Sequence, residues 1–335
     1  MKKETESLQG EKFLSTLIIP FKYLFEIRLQ KSYSKLLSWL ILHFFPIMYW
    51  VLIFGCYIIY STPATTFSEN TKAENLIIFS VSFILFSISH YYLYEFGYIH
   101  NDIKAAEKDK MSIRLEDWQL TAAKKYYNVA LYSHLLPHII GFAILLLSKN
   151  FRSIMLIPYI VAVITSYLSH ILFIIYNTTP YKQRVYIYPG LQILKYVTPI
   201  ILLFSTKPFY NTIINSDILN LSLSFESSIL ILLVLLFITY PLEISIERFS
   251  MPAKRYKAIS KLIPDEESKK RFRINYYIII LIICITTGIL LNINTLEYKS
   301  TGIWLIVKKT VLYYLPIIIL LIYRILILKR VKYHN

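Results

Sequence analysis

Apolar runs long enough to cross a bilayer recur from one end of this 335-residue chain to the other. That single feature restricts the fold more than any other. A backbone inside hydrocarbon has no water to bond, so it must satisfy its own N–H and C=O groups as a helix or a closed barrel. The runs are continuous rather than alternating, and most are about 20 residues long, which is the helical requirement for a hydrocarbon core about 30 Å thick. Eight spans are expected, at 37–60, 76–99, 126–147, 153–176, 186–206, 227–245, 274–293 and 310–328. The stretch 301–309, with Trp304 ahead of Lys308 and Lys309, is either an interfacial piece or part of a ninth helix. Pro46, Pro137, Pro158, Pro189, Pro199 and Pro316 fall inside spans, where proline kinks a membrane helix without excluding it.

Charge sorts with these spans. The segments 1–35, 101–125, 177–185, 246–273 and 324–335 hold 28 Lys or Arg, and the opposite segments 61–75, 148–152, 207–226 and 294–302 hold five. This bias predicts an integral membrane protein with both termini cytoplasmic, in a bacterial cytoplasmic membrane. It also accounts for most of the net charge of +16, with some attraction to anionic lipid. Nucleic acid is not an expected partner, because the basic residues lie between spans and no zinc finger, nucleotide loop or RNA-binding signature accompanies them. Cys56 and Cys284 read as small buried hydrophobes rather than a disulfide framework. The N-terminus lacks a compact signal peptide, so the first span is expected to stay in the membrane. The expected organisation is a cytoplasmic segment 1–35, one transmembrane domain 36–328 with cytoplasmic loops 101–125 and 246–273, and a tail 329–335.

With only 20 carboxylates in the chain, acids grouped at helix ends need a reason. One group, Asn101-Asp102-Ile103-Lys104-Ala105-Ala106-Glu107-Lys108-Asp109, follows the second span, and Glu243-Ile244-Ser245-Ile246-Glu247-Arg248 follows the sixth. Both fall on the cytoplasmic side, each after the second helix of a four-helix half, as a parallel duplication would place them. Asp102 and Asp109 are seven apart and Glu243 and Glu247 four apart, so each pair shares a helix face. Carboxylates converging from two helix ends can hold Mg²⁺, which takes oxygen ligands and the phosphates of a substrate. Asn101 is placed to orient a carboxylate, a water or a phosphate. Arg114, Lys182, Arg184 and Arg248 supply the cations that grip a diphosphate and neutralise it as it departs. Glu107, Glu116 and Asp117 read as plain solvated charges. Glu95, deep in the second span, either pairs with another helix or lines a cavity with Tyr94, Tyr98 and Tyr176. The histidines of the spans, His43, His90, His134, His138 and His170, read as interhelical hydrogen-bond formers, since no zinc motif accompanies them.

This arrangement resembles the intramembrane prenyltransferases of the ubiquinone-biosynthesis (UbiA) superfamily. Their first motif is Asn-Asp-x-x-Asp-x-x-x-Asp after the second helix. Asn101, Asp102 and Asp109 match its first, second and last named positions, and Ala105 stands at the middle Asp. Their second motif, two acids four apart after the sixth helix, is similar to Glu243 and Glu247. The run Tyr176-Asn177-Thr178-Thr179-Pro180-Tyr181-Lys182-Gln183-Arg184 loosely resembles the family's Tyr-Pro-Arg-Lys loop. The resemblance implies an all-α UbiA-like bundle and Mg²⁺-dependent transfer of a prenyl group from a prenyl diphosphate to an aromatic or other small acceptor. It implies metal ligation by Asp102, Asp109, Glu243 and Glu247, and substrate binding by Glu95, Arg114, Tyr176, Lys182, Arg184 and Arg248. Two other expectations stand beside it: a noncatalytic relative that binds an isoprenoid lipid, and a multispanning transporter.

Overall fold

The computed structural model describes residues 2–62, 68–109, 114–148, 151–180, 183–209, 211, 225–239, 241–250, 265–293, 318–319 and 321–326. Among these there is helix and no β-strand. The helices are α1 (Lys2–Ile18), the wide π-type turn α2 (Leu24–Arg28), α3 (Tyr33–Trp39), α4 (Phe45–Ser61), α5 (Glu69–Asp109), α6 (Asp117–Ser133), α7 (Leu135–Leu147), α8 (Arg152–Thr178), α9 (Arg184–Ile200), α10 (Phe225–Thr239), α11 (Pro241–Ser250) and α12 (Glu266–Ile293). Among the described residues five stretches are long and apolar enough to cross a membrane: Glu69–Glu107, Asp117–Leu147, Arg152–Thr178, Tyr186–Phe209 and Ile229–Ile246. They coincide with five of the eight expected spans. The expected span 37–60 contains the shorter apolar helix α4, broadened by π-type turns at Leu40–Phe44 and Met48–Ile53. The span 274–293 lies within α12, while 301–309 and most of 310–328 lie outside the described residues.

The chain forms two compact units. The first comprises residues 1–40, 67–180 and 194–206, and the second comprises 41–66, 181–193 and 207–335, so the division falls within α9. In the first unit α5 packs against α7 and α8, and α1 lies along α6. Phe13 and Leu17 of α1 meet Ala122, Ala123 and Ala130 of α6, and Tyr92 and Phe96 of α5 join the same core. In the second unit α10, α11 and α12 pack on one another.

α8 shows why this is a membrane bundle. Its outward residues Ile157, Val161, Ile164, Leu168, Ile171 and Ile175 are exposed and recur every three or four positions. Its buried face carries Ser166, Ser169, His170 and Asn177. A soluble helix puts its apolar stripe inward and its polar face outward. The reverse pattern is stable only where the surroundings are hydrocarbon and polar side chains find partners inside the bundle. They do so here. His90 Nδ1 lies 2.8 Å from Ser166 Oγ, and His134 Nε2 lies 2.9 Å from the Tyr167 hydroxyl, as interhelical bonds.

Local sequence sets the breaks. Pro137 has no N–H to give the Ser133 carbonyl, and α6 and α7 part at His134. The neighbouring His134 carbonyl accepts from Ser89 Oγ. Glu116 opens α6 with a reciprocal cap, its own N–H donating to Gln119 Oε1 at 2.9 Å. Glu116 is exposed, and exposed Glu107 pairs with Lys104 and Lys124 at 2.8 and 3.1 Å, as solvated charges do.

α5 and α8 come into close contact at Gly97. A methyl group there would overlap the Phe173 ring, and Asn177 Nδ2 donates to the Gly97 carbonyl at 2.8 Å. Gly97→Ala is therefore expected to destabilise the protein by about 1–3 kcal/mol, the range for overpacking. Phe173→Leu in the same chain should recover part of that loss. A double-mutant cycle of thermal midpoints in detergent checks this, and additive effects would sink it.

Candidate functional site

α5 is 41 residues long, about 60 Å at 1.5 Å per residue. Its final turns therefore continue past an apolar layer about 30 Å thick, and they carry Asn101, Asp102 and Asp109. Asp102 is 5% exposed. Its Oδ1 accepts from Arg28 Nη2 at 2.7 Å and Arg114 Nη1 at 3.1 Å. Its Oδ2 accepts from the Tyr23 hydroxyl at 2.8 Å. Burial holds the Tyr23 phenol well above its ordinary range, and the Asp102 charge pushes the same way, so Tyr23 stays a donor. The Arg28 guanidinium also lies 4.8 Å from the Tyr98 ring centre and donates to the Tyr98 carbonyl at 3.0 Å.

Tyr23 and Arg28 reach Asp102 because of Glu95. This residue, 2% exposed, sits seven positions before Asp102, two turns earlier on the same side of α5. Its Oε2 accepts the Phe21 N–H at 2.8 Å, and its Oε1 accepts the Leu24 N–H. Phe21 has φ 67°, a region that bulky residues rarely adopt. The buried carboxylate thus holds a strained turn and satisfies N–H groups at the start of α2, which a helix leaves without partners. Glu95 joins two chain segments and is a positioning residue for Asp102.

The second acid is organised alike within its own unit. Glu243 sits in the first turn of α11 behind Pro241, where a negative charge suits the helix dipole, and it is 0% exposed. Its Oε1 is 2.7 Å from Arg273 Nε. Its Oε2 accepts from the Tyr277 hydroxyl at 3.0 Å and lies 3.8 Å from Arg324 Nη2. Arg273 and Tyr277 are four apart on α12 and share a face. Arg324 Nε donates to the Tyr277 hydroxyl at 3.1 Å. Asp102 and Glu243 therefore each meet two arginines and one tyrosine.

Asn101 is half-buried on α5. Ala105, at the middle Asp of the motif, is half-buried one turn beyond Asp102. Asp109 ends α5, and Glu247 and Arg248 lie in α11, but their side chains are outside the described residues. Lys182 is outside them altogether. Arg184 opens α9 and is half-buried, and Tyr176 is half-buried with its ring centre 6.2 Å from that of Phe173. Arg114 side chain is 45% exposed, the most open cation of its cluster. Tyr23, Arg28, Arg273, Tyr277 and Arg324 were not expected from sequence. Only the pair Arg273 and Tyr277, at helical spacing where an apolar run begins, left a local signal.

Mg²⁺ takes several oxygen ligands in near-octahedral array; of the four acids expected to hold it, Asp102 accepts on both oxygens and Glu243 faces two guanidinium groups, while the side chains of Asp109 and Glu247 lie outside the described residues. Among the described residues no three His, Cys, Asp or Glu side chains are grouped to hold a metal. Arginines held rigidly by a carboxylate suit an oxyanion, since a guanidinium offers five donors in a planar fork. No protein-family model, curated protein or solved structure matches the chain.

Proposed function

We propose that this multispanning helical protein binds the phosphate- or diphosphate-bearing head of an isoprenoid lipid where its helices leave the bilayer. The observation that carries the reading is the convergence of Arg28, Arg114 and Tyr23 on the buried Asp102 at the end of α5. The carboxylate orders the guanidinium groups, and Arg114 has solvent-facing surface to offer a phosphate oxygen. The lipid tail would lie among the apolar helices. The isoprenoid class comes from the likeness to the UbiA superfamily, and with it an eight- or nine-helix UbiA-like bundle with both termini in the cytoplasm of a bacterium. In this reading the protein is a relative without metal-held catalysis, which agrees with Ala105 at the middle acid position.

Mg²⁺-dependent prenyl transfer to a small, aromatic or other acceptor is the second reading. It is favoured by Asn101, Asp102 and Asp109 following one another along the last turns of α5. One experiment separates the two. The full chain in lipid nanodiscs is titrated with a prenyl diphosphate, in Mg²⁺ and in a chelator, and diphosphate release is followed with membrane-extract acceptors. Binding that survives chelation without turnover supports the first reading. Metal-dependent product, lost in Asp102→Asn and Glu243→Gln, replaces it with the second. In the binding arm Arg114→Ala is expected to raise Kd about 10- to 100-fold, the loss of one charge-assisted bond worth about 1.5–3 kcal/mol. An unchanged Kd would remove Arg114 from the site, and no binding at all would move a transporter forward.

A further inference from the structure

Lys195 lies in the first unit, deep in the Tyr186–Phe209 stretch, and is 1% exposed. Its ammonium faces two aromatic rings, with Nζ 4.6 Å from the centre of Tyr94 and 5.7 Å from that of Tyr196. Among the described residues no carboxylate lies within ion-pair distance of it. Every buried acid described above is committed elsewhere. Aromatic faces attract a cation, but they offset only part of what an ion loses on leaving water. Ionisable side chains at membrane depth are rare, and their partner usually explains them.

The surroundings are polar in a manner that fits a ligand rather than a sealed core. The Lys195 carbonyl is 3.1 Å from His90 Nε2, whose Nδ1 is held by Ser166 on α8. That bond ties α5, α8 and the 194–206 segment together behind the ammonium. One turn on from Lys195, Thr198 is 0% exposed, and its Oγ1 has no partner among the described residues. Buried polar groups normally have partners, so a buried cation without a carboxylate and a buried hydroxyl one helical turn from it call for a group to complete them.

We propose that the first unit contains an internal binding site for an oxyanion, a carboxylate or phosphate, anchored by Lys195 Nζ. The ligand is an amphiphile whose apolar body suits the aromatic walls at Tyr94 and Tyr196, or a free anion occupying the same point. This site is separate from the arginine clusters and does not depend on the headgroup reading.

The test uses the full chain in detergent, with thermal midpoints measured against oleate, neutral oleyl alcohol and inorganic phosphate. Oleate is expected to raise Tm by several degrees and oleyl alcohol not at all. A rise with inorganic phosphate as well would make the free anion sufficient, and a rise with oleate alone would require the apolar body; both support the site. In Lys195→Met the oleate effect should vanish, with apparent Kd weakened at least about tenfold, while Lys195→Arg keeps it. Should Lys195→Met fail to fold, labelling by an apolar amine-reactive reagent, located by mass spectrometry, needs no variant. Oleate should then protect Lys195, and oleyl alcohol should not. Equal Tm shifts from oleate and the alcohol, an oleate shift that survives Lys195→Met, or Lys195 labelling indifferent to oleate would each overturn the proposal.

Discussion

Glu243→Ala is expected to destabilise the protein by about 3–5 kcal/mol, the cost of removing one partner from a buried ion pair. Glu243 is 0% exposed, and the guanidinium groups of Arg273 and Arg324 are 17% and 12% exposed as side chains. Removing the carboxylate leaves both cations poorly hydrated and also strips the Tyr277 hydroxyl of its acceptor. Glu243→Gln retains an acceptor for Tyr277 but not the charge, so it should fall between the two. The informative control is Glu243→Leu with Arg273→Met. Replacing buried ion-pair members by well-packed apolar groups is often neutral or stabilising, so the double variant should recover much of the loss. Thermal and chemical unfolding of the four proteins in the same detergent decides it. A single-variant cost below about 1 kcal/mol, the size of an exposed pair, would show the cluster to be hydrated and loosely held.

Glu95→Leu should cost about 2–6 kcal/mol. Two N–H groups, of Phe21 and Leu24, lose their acceptor, and each buried unsatisfied donor costs about 1–3 kcal/mol. The effect should be local before it is global. With its anchor gone, the Phe21 turn has nothing to offset its left-handed conformation, and α2 releases Tyr23 and Arg28 from Asp102. Backbone hydrogen exchange over 20–28 is expected to rise sharply while that of α8 stays slow. Glu95→Gln keeps one acceptor oxygen and should retain part of the protection. If exchange over 20–28 is unaltered in Glu95→Leu, the N-terminal segment is held by the α1–α6 contact alone.

The sequence picked out Asp102 and Glu243 as acids needing an explanation, and both are buried among charged partners. It left Glu95 open between a helix partner and a cavity wall, and the residue turned out to hold backbone N–H groups of a distant turn. No spacing rule could foretell this. Glu95 and Phe21 are 74 positions apart, and Arg28 and Asp102 are likewise 74 apart. Periodicity reports neighbours within a turn or two of helix and nothing about pairings that depend on how a chain returns on itself. Lys195 carries no sequence signal because a lone lysine inside an apolar run belongs to no motif and no charge pattern. Its burial depends on Tyr94, which belongs to another helix.

Sequence alone determined the class of structure: all-helical, multispanning, with acids at the ends of its helices. It could do so because hydrocarbon imposes a rule on each segment separately, that twenty apolar residues satisfy their own backbone. Which charges meet was decided only by tertiary structure. An ion pair inside a bundle is a property of two or three helices at once, and its stability turns on burial that no single segment possesses. The motif spacing suggested a metal held by acids. Packing surrounds Asp102 and Glu243 with arginines and tyrosines, partners that the motif spacing does not reveal.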